Sequence, residues 1–160
     1  MNCSKFKTMR HIETVRNYLE WCAGDMTNRG RIHDQSKLQE PEASTFDKMT
    51  EKLRGCTYGS SEYNGFLGEM RAALDHHYSE NNHHPEHFKN GILDMNLFDI
   101  IEMLVDWKSA GLRHNDGDIR KSLEINSIRF NIPEPIMTLL ENTVEYIENE
   151  FYVEHHAEES

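Results

Sequence analysis

Apolar positions recur at three- and four-residue intervals along most of this chain, and that spacing predicts helices. Between Phe6 and Cys22 the stripe is Met9, Ile12, Val15, Tyr18, Leu19 and Cys22. His11 borders it, and a neutral imidazole in a core must hydrogen-bond or coordinate something. Residues 24–31 carry two glycines and no periodicity, so they read as a connector. A second, short helix is expected from Ile32 to Lys37 or Leu38, ahead of Pro41. It would put His33 and Lys37 on one face, with Asp34 about 100° round. Residues 42–54 read as a short, polar, peripheral helix and residues 55–61 as a loop ending in an N-cap at Ser60 or Ser61. The third long helix carries Tyr63, Phe66, Leu67, Met70, Ala73 and Leu74; it brings His77 inward at its C-terminal end and turns His76 away.

Asn81-Asn82-His83-His84-Pro85-Glu86-His87 follows, a turn by its asparagines and proline. With His76 and His77 it places five histidines within twelve residues. Asn96 can then cap a fourth helix whose Leu97, Ile100, Ile101, Leu104 and Val105, with Met103 and Trp107, are apolar nearly all round, the mark of a buried helix. Glu102 and Asp106 stand one turn apart on it, and a carboxylate there needs a cation or strong donors to stay ionised. The alternative for Asp106 is a salt bridge to Arg113 or Arg129. A loop at 111–117, a helix through Ile119, Leu123 and Ile128, and a last helix from Pro133 to Tyr152 complete the chain. No strand-type alternation and no repeat occurs, so the expected fold is all-α, one helical bundle over residues 1–153 with a polar tail at 154–160.

Composition narrows the function. A length of 160 residues suits one domain with a core of its own. The formal charge of -11 argues against a partner in duplex nucleic acid. Mean hydropathy of -0.77 and the lack of a run near the ~20 apolar residues of a membrane span argue for no membrane partner, and a cytoplasmic location is the default. Three cysteines, Cys3, Cys22 and Cys56, fit neither a disulfide framework nor a zinc ribbon, and Cys22 is expected in the core as a reduced thiol. Whether the chain forms a homo-oligomer stays open.

The candidate chemistry centres on His33-Asp34-Gln35-Ser36-Lys37. His11 stands 22 positions before the His-Asp pair and Asp106 stands 72 after Asp34, each in a helical setting. With these residues on three helices, the pattern resembles the HD-domain superfamily of metal-dependent phosphohydrolases over about residues 7–130. His-Asp-Gln-Ser-Lys is similar to that family's His-Asp-x-x-Lys variant, and Ile101-Glu-Met-Leu-Val-Asp106 to its final-aspartate helix. The chain also resembles often phage-encoded proteins that share the His-Asp-x-Ser-Lys motif, a His-His-Pro-Glu turn and an Asp-Trp pair.

The resemblance implies an all-α bundle in which His11, His33, Asp34 and Asp106 bind a divalent ion. It also implies a second ion at His77, His83 or His84, as in binuclear members. Such a site activates water and polarises a phosphoryl oxygen. Lys37, and Arg29 or Arg31, would offset charge on the phosphate, and Glu86 or Glu102 would be general acid or base. Mn, Fe, Co, Ni or Zn suits these ligands, as one ion or two. The expected activity is hydrolysis of a phosphate ester or anhydride in a nucleotide-like small molecule. Its rivals are an HD-type di-iron oxygenase and a non-catalytic acidic decoy that binds a nucleotide or a protein.

Overall fold

The computed structural model describes residues 3–54, 60–112 and 117–156, and it is all-α, with no strand among the described residues. Contacts divide the chain into two units, residues 1–35 and 36–160. No described helix is long and apolar enough to cross a membrane.

The first unit is essentially one helix. α1 runs unbroken from Cys3–Ile32, so the expected connector at 24–31 and the start of a new helix near Ile32 are both corrected. Glycine costs about 1 kcal/mol in a helix, a weak penalty that local bonds offset here. Arg29 Nε pairs with Asp25 at 2.9 Å one turn earlier, Thr27 Oγ1 donates to the Ala23 carbonyl at 2.8 Å, and Arg29 and Arg31 face the negative end of the helix dipole. The helix stops at a turn in which Asp34 adopts the left-handed region, φ 57°. Aspartate tolerates that region better than most residues, and it breaks the helical run. A 3-10 turn, Gln35–Leu38, follows in place of an α-helix, so His33 and Lys37 do not share a helical face.

The second unit holds the core. After α2 (Ala43–Arg54), the expected long helix is two, α3 (Ser61–Glu69) and α4 (Arg71–Glu80), parted at the fully buried Met70. The loop expected at 55–61 lies, over 55–59, outside the described residues. Pro85 opens a 3-10 turn, Pro85–His87, as a proline can at a first helical position. α5 (Leu97–Gly111) starts on a capping box: Asn96 Oδ1 accepts from the Phe98 and Asp99 amides while the Asp99 carboxylate accepts from the Asn96 amide. Such a cap contributes about 1 kcal/mol.

Ile100, Met103 and Leu104 of α5 pack with Ile119 and Leu123 of α6 (Ile119–Arg129) and Leu140 and Val144 of α7 (Glu134–His156). Each such buried side chain is worth about 1.5–3 kcal/mol. α5 is not buried all round, as its pattern suggested, because Leu97, Ile101 and Val105 face outward. Nor is Cys22 in a core; it is half-buried on α1. α7 extends through His156, into the stretch read as tail.

Candidate metal centre

Three imidazoles converge in the second unit. α4 carries His77 on its inward stripe, and the turn at Asn81 reverses the chain so that His83 and His84 come back against it. His77, His83 and His84 each offer a ring nitrogen within 4.8 Å of the others, and His77 Nε2 lies 2.9 Å from His84 Nε2. His77 and His83 are almost wholly buried. From α5, Asp106 brings a carboxylate oxygen within 4.8 Å of a His83 nitrogen.

Burial, with His83 and His77 beside it, pushes His84 from an ordinary 6.5 down to about 3; Asp106 opposes that shift and Lys37 adds to it. At neutral pH its ring is therefore neutral and keeps a lone pair, the state that metal coordination requires. An imidazole trio next to a carboxylate suits a borderline divalent cation such as Zn, Co, Ni, Mn or Fe better than the oxygen-seeking Mg or Ca. The donor set present fits such an ion.

Carboxylates hold the imidazoles from behind. Glu42, just before α2, is wholly buried; its Oε1 is 2.7 Å from His76 Nδ1 and its Oε2 is 3.0 Å from His77 Nδ1. Ser36 Oγ donates to Glu42 Oε2 at 3.1 Å, and Asn81 Nδ2 donates to Ser36 Oγ at 2.9 Å and to the His77 carbonyl at 2.8 Å. Glu102 Oε1 stands 3.2 Å from His83 Nδ1.

Several expected roles change. His11 lies within α1, so 1.5 Å of rise per residue puts it roughly 30 Å from His33 along one continuous helix. One ion cannot take both, and His11 leaves the set. Glu86 Oε1 lies 2.6 Å from Arg129 Nη2, so the carboxylate expected as a general acid or base is held in an ion pair; Arg113 lies outside the described residues. Glu102 holds a histidine ring where a general acid or base was expected. His33 and Asp34 belong to the first unit, where His33 Nε2 and Asp34 Oδ2 are 3.6 Å apart. Lys37 Nζ lies 5.3 Å from the centre of the Phe46 ring, and its charge reaches His84. Arg29 pairs with Asp25.

A family model, described as a family of unknown function (DUF5662), matches residues 2–152. The chain belongs to that family. No curated protein and no solved structure matches it. The match runs from α1 into α7 and so takes in every residue of the histidine cluster.

Sequence reading missed Glu42, Ser36 and Asn81. Ser36 and Asn81 stood inside segments already singled out, the His-Asp-Gln-Ser-Lys stretch and the histidine turn. Glu42 opened the stretch read as a short, polar, peripheral helix. One sequence carries no sign separating a buried glutamate from an exposed one, except that buried imidazoles at 76 and 77 need acceptors.

Proposed function

We propose that this protein is a metal-dependent hydrolase of phosphate esters or anhydrides in nucleotide-like small molecules, with its divalent ion on His77, His83, His84 and Asp106. The convergence of three imidazoles, with His84 held neutral by its surroundings, carries the reading. The likeness of the His-Asp-Gln-Ser-Lys stretch to a phosphohydrolase motif points to phosphate as the substrate group.

A bound divalent ion would supply a water of lowered pKa and a Lewis acid for the phosphoryl oxygen. The chain's own residues supply the rest. Lys37 presents a cation for the phosphate oxygens, while burial of His77 and His83 excludes bulk water from the ligand nitrogens and strengthens electrostatic contacts there.

Elemental analysis of the purified protein, then phosphate release from a panel of nucleotides with Mn, Fe, Co, Ni or Zn restored singly to stripped protein, tests the proposal. Metal-dependent hydrolysis that His83→Ala and Asp106→Ala abolish is the expected result. Absence of bound metal and of hydrolysis with every ion would sink it. Redox-active iron without phosphatase activity would instead direct the reading to an oxygenase.

A further inference from the structure

We infer that Glu42 is a positioning residue: its buried carboxylate fixes the His77 ring with hydrogen on Nδ1, leaving the Nε2 lone pair on the side of His84. The inference deepens the metal-site reading and rests on it only for its consequence in metal affinity.

An ionised carboxylate only accepts hydrogen bonds, and a wholly buried one needs donors on both oxygens. Glu42 has them in the Ser36 hydroxyl, His76 Nδ1 and His77 Nδ1. The remaining hydrogens can be assigned without conflict. Ser36 has one hydrogen, which goes to Glu42 Oε2. Asn81 has two on Nδ2, and the Ser36 Oγ and His77 carbonyl contacts, at 2.9 and 2.8 Å, use both. The 3.1 Å approach of Asn81 Nδ2 to His77 Nδ1 then brings together two donor nitrogens and is no bond. Ser36 Oγ, 3.1 Å from His77 Nδ1, can share the Nδ1 hydrogen with Glu42. With the hydrogen on Nε2 instead, the 3.0 Å contact between His77 Nδ1 and Glu42 Oε2 would set two acceptors against each other in the core.

A neutral ring protonated on Nδ1 has its lone pair on Nε2, the atom 2.9 Å from His84 Nε2. Before any ion binds, His84 can fill that short contact with its own Nε2 hydrogen. A second carboxylate repeats the arrangement, since Glu102 lies 3.2 Å from His83 Nδ1. Two of the three imidazoles thus have an acidic group behind Nδ1, an arrangement that fixes tautomer and raises ligand basicity at metal sites. His76 is different. Its side chain is 40% exposed, and it serves as the donor to the other Glu42 oxygen.

The test is nitrogen-15 NMR of the histidine rings in metal-stripped full-length protein, paired with Zn and Co titration of wild type and Glu42→Gln. Wild type is expected to show His77 with hydrogen on Nδ1. In Glu42→Gln the His77 signals should move toward a tautomer mixture, with His83 unchanged and metal affinity lower by roughly 10- to 100-fold. Glu102→Gln should move His83 and leave His77. Hydrogen on Nε2 of His77 in wild type overturns the inference without any variant, so a misfolded Glu42→Gln leaves it testable. Wild-type affinity in a folded Glu42→Gln protein also overturns it. If wild type shows the expected tautomer but binds neither metal, the metal reading falls and the positioning of His77 stands.

Discussion

His11 borders one apolar helical stripe and His77 extends another, and the structure treats the two oppositely. His77 is 1% exposed, with a buried carboxylate behind one nitrogen and another imidazole before the other. His11 is exposed on a 30-residue helix, and no second helix occurs among the described residues of its unit. Periodicity tells which side of a helix is apolar; what covers that side is a property of the other elements. The local chain supplied the difference, because the turn at 81–85 folds two more histidines back onto His77 within eight residues.

The sharpest way to break this contrast is to delete each ring. His77→Ala and His83→Ala are expected to weaken Zn or Co binding by at least about 100-fold, roughly 3 kcal/mol, and to remove any metal-dependent hydrolysis. His11→Ala should leave both unchanged. Calorimetric titration of the three variants decides it, and equal losses in all three would erase the distinction.

How much could be read from the chain alone follows from the same contrast. The all-α class, the Asn96 cap, the turn at Pro85 and the inward aim of His77 were legible, because each depends on neighbours a few residues away. The run of α1 through Gly24 and Gly30 was not: an ion pair and a threonine bond outweigh a modest propensity there. The break at Met70 was missed although Gly68 stands two residues before it, because an isolated glycine inside a helical stripe is a weak breaker. Glu42 was illegible for a further reason, since its partners are 34 and 35 residues away.

α5 repeats the contrast on one helix. Met103 is wholly buried and Leu97 is 65% exposed, yet both belong to what reads as one apolar run. Met103→Ala should cost about 2–5 kcal/mol in urea denaturation, as core truncations do. Leu97→Ala should cost less than about 1 kcal/mol.

Acid should reveal the burial of His84 in metal-stripped protein. Its pKa is lowered to about 3 in the fold against 6.5 when unperturbed, so between those values the unfolded chain holds the extra proton. Stability then rises with pH across that window, and it is lost as pH falls from about 6.5 toward 3, by up to about 1.4 kcal/mol per pH unit. His84→Asn should flatten this share of the slope, read as the difference between variant and wild type in denaturation series from pH 4 to 8. Parallel wild-type and variant curves would place His84 in a more solvated setting than its neighbours imply.

The smallest expected effect compares the buried Glu42 with a carboxylate that has good partners at the surface. Glu148 on α7 accepts from Lys108 Nζ on α5 at 2.9 Å and lies 3.0 Å from Arg120 Nη1 on α6, with its side chain one-third exposed. The Lys108 hydrogen bond holds its pKa below the usual 4.5; burial opposes that shift, and the Arg120 bond adds to it. A depressed carboxylate stabilises the fold above its unfolded pKa, and that contribution disappears as pH drops through the folded value. Solvent screening keeps the contribution small, so Glu148→Gln should cost under about 1 kcal/mol at pH 7 and less still in 1 M salt. Glu42→Gln should respond far less to salt, because no mobile ions reach its oxygens; measuring both variants at low and high salt tests whether burial, and not the number of partners, separates the two glutamates.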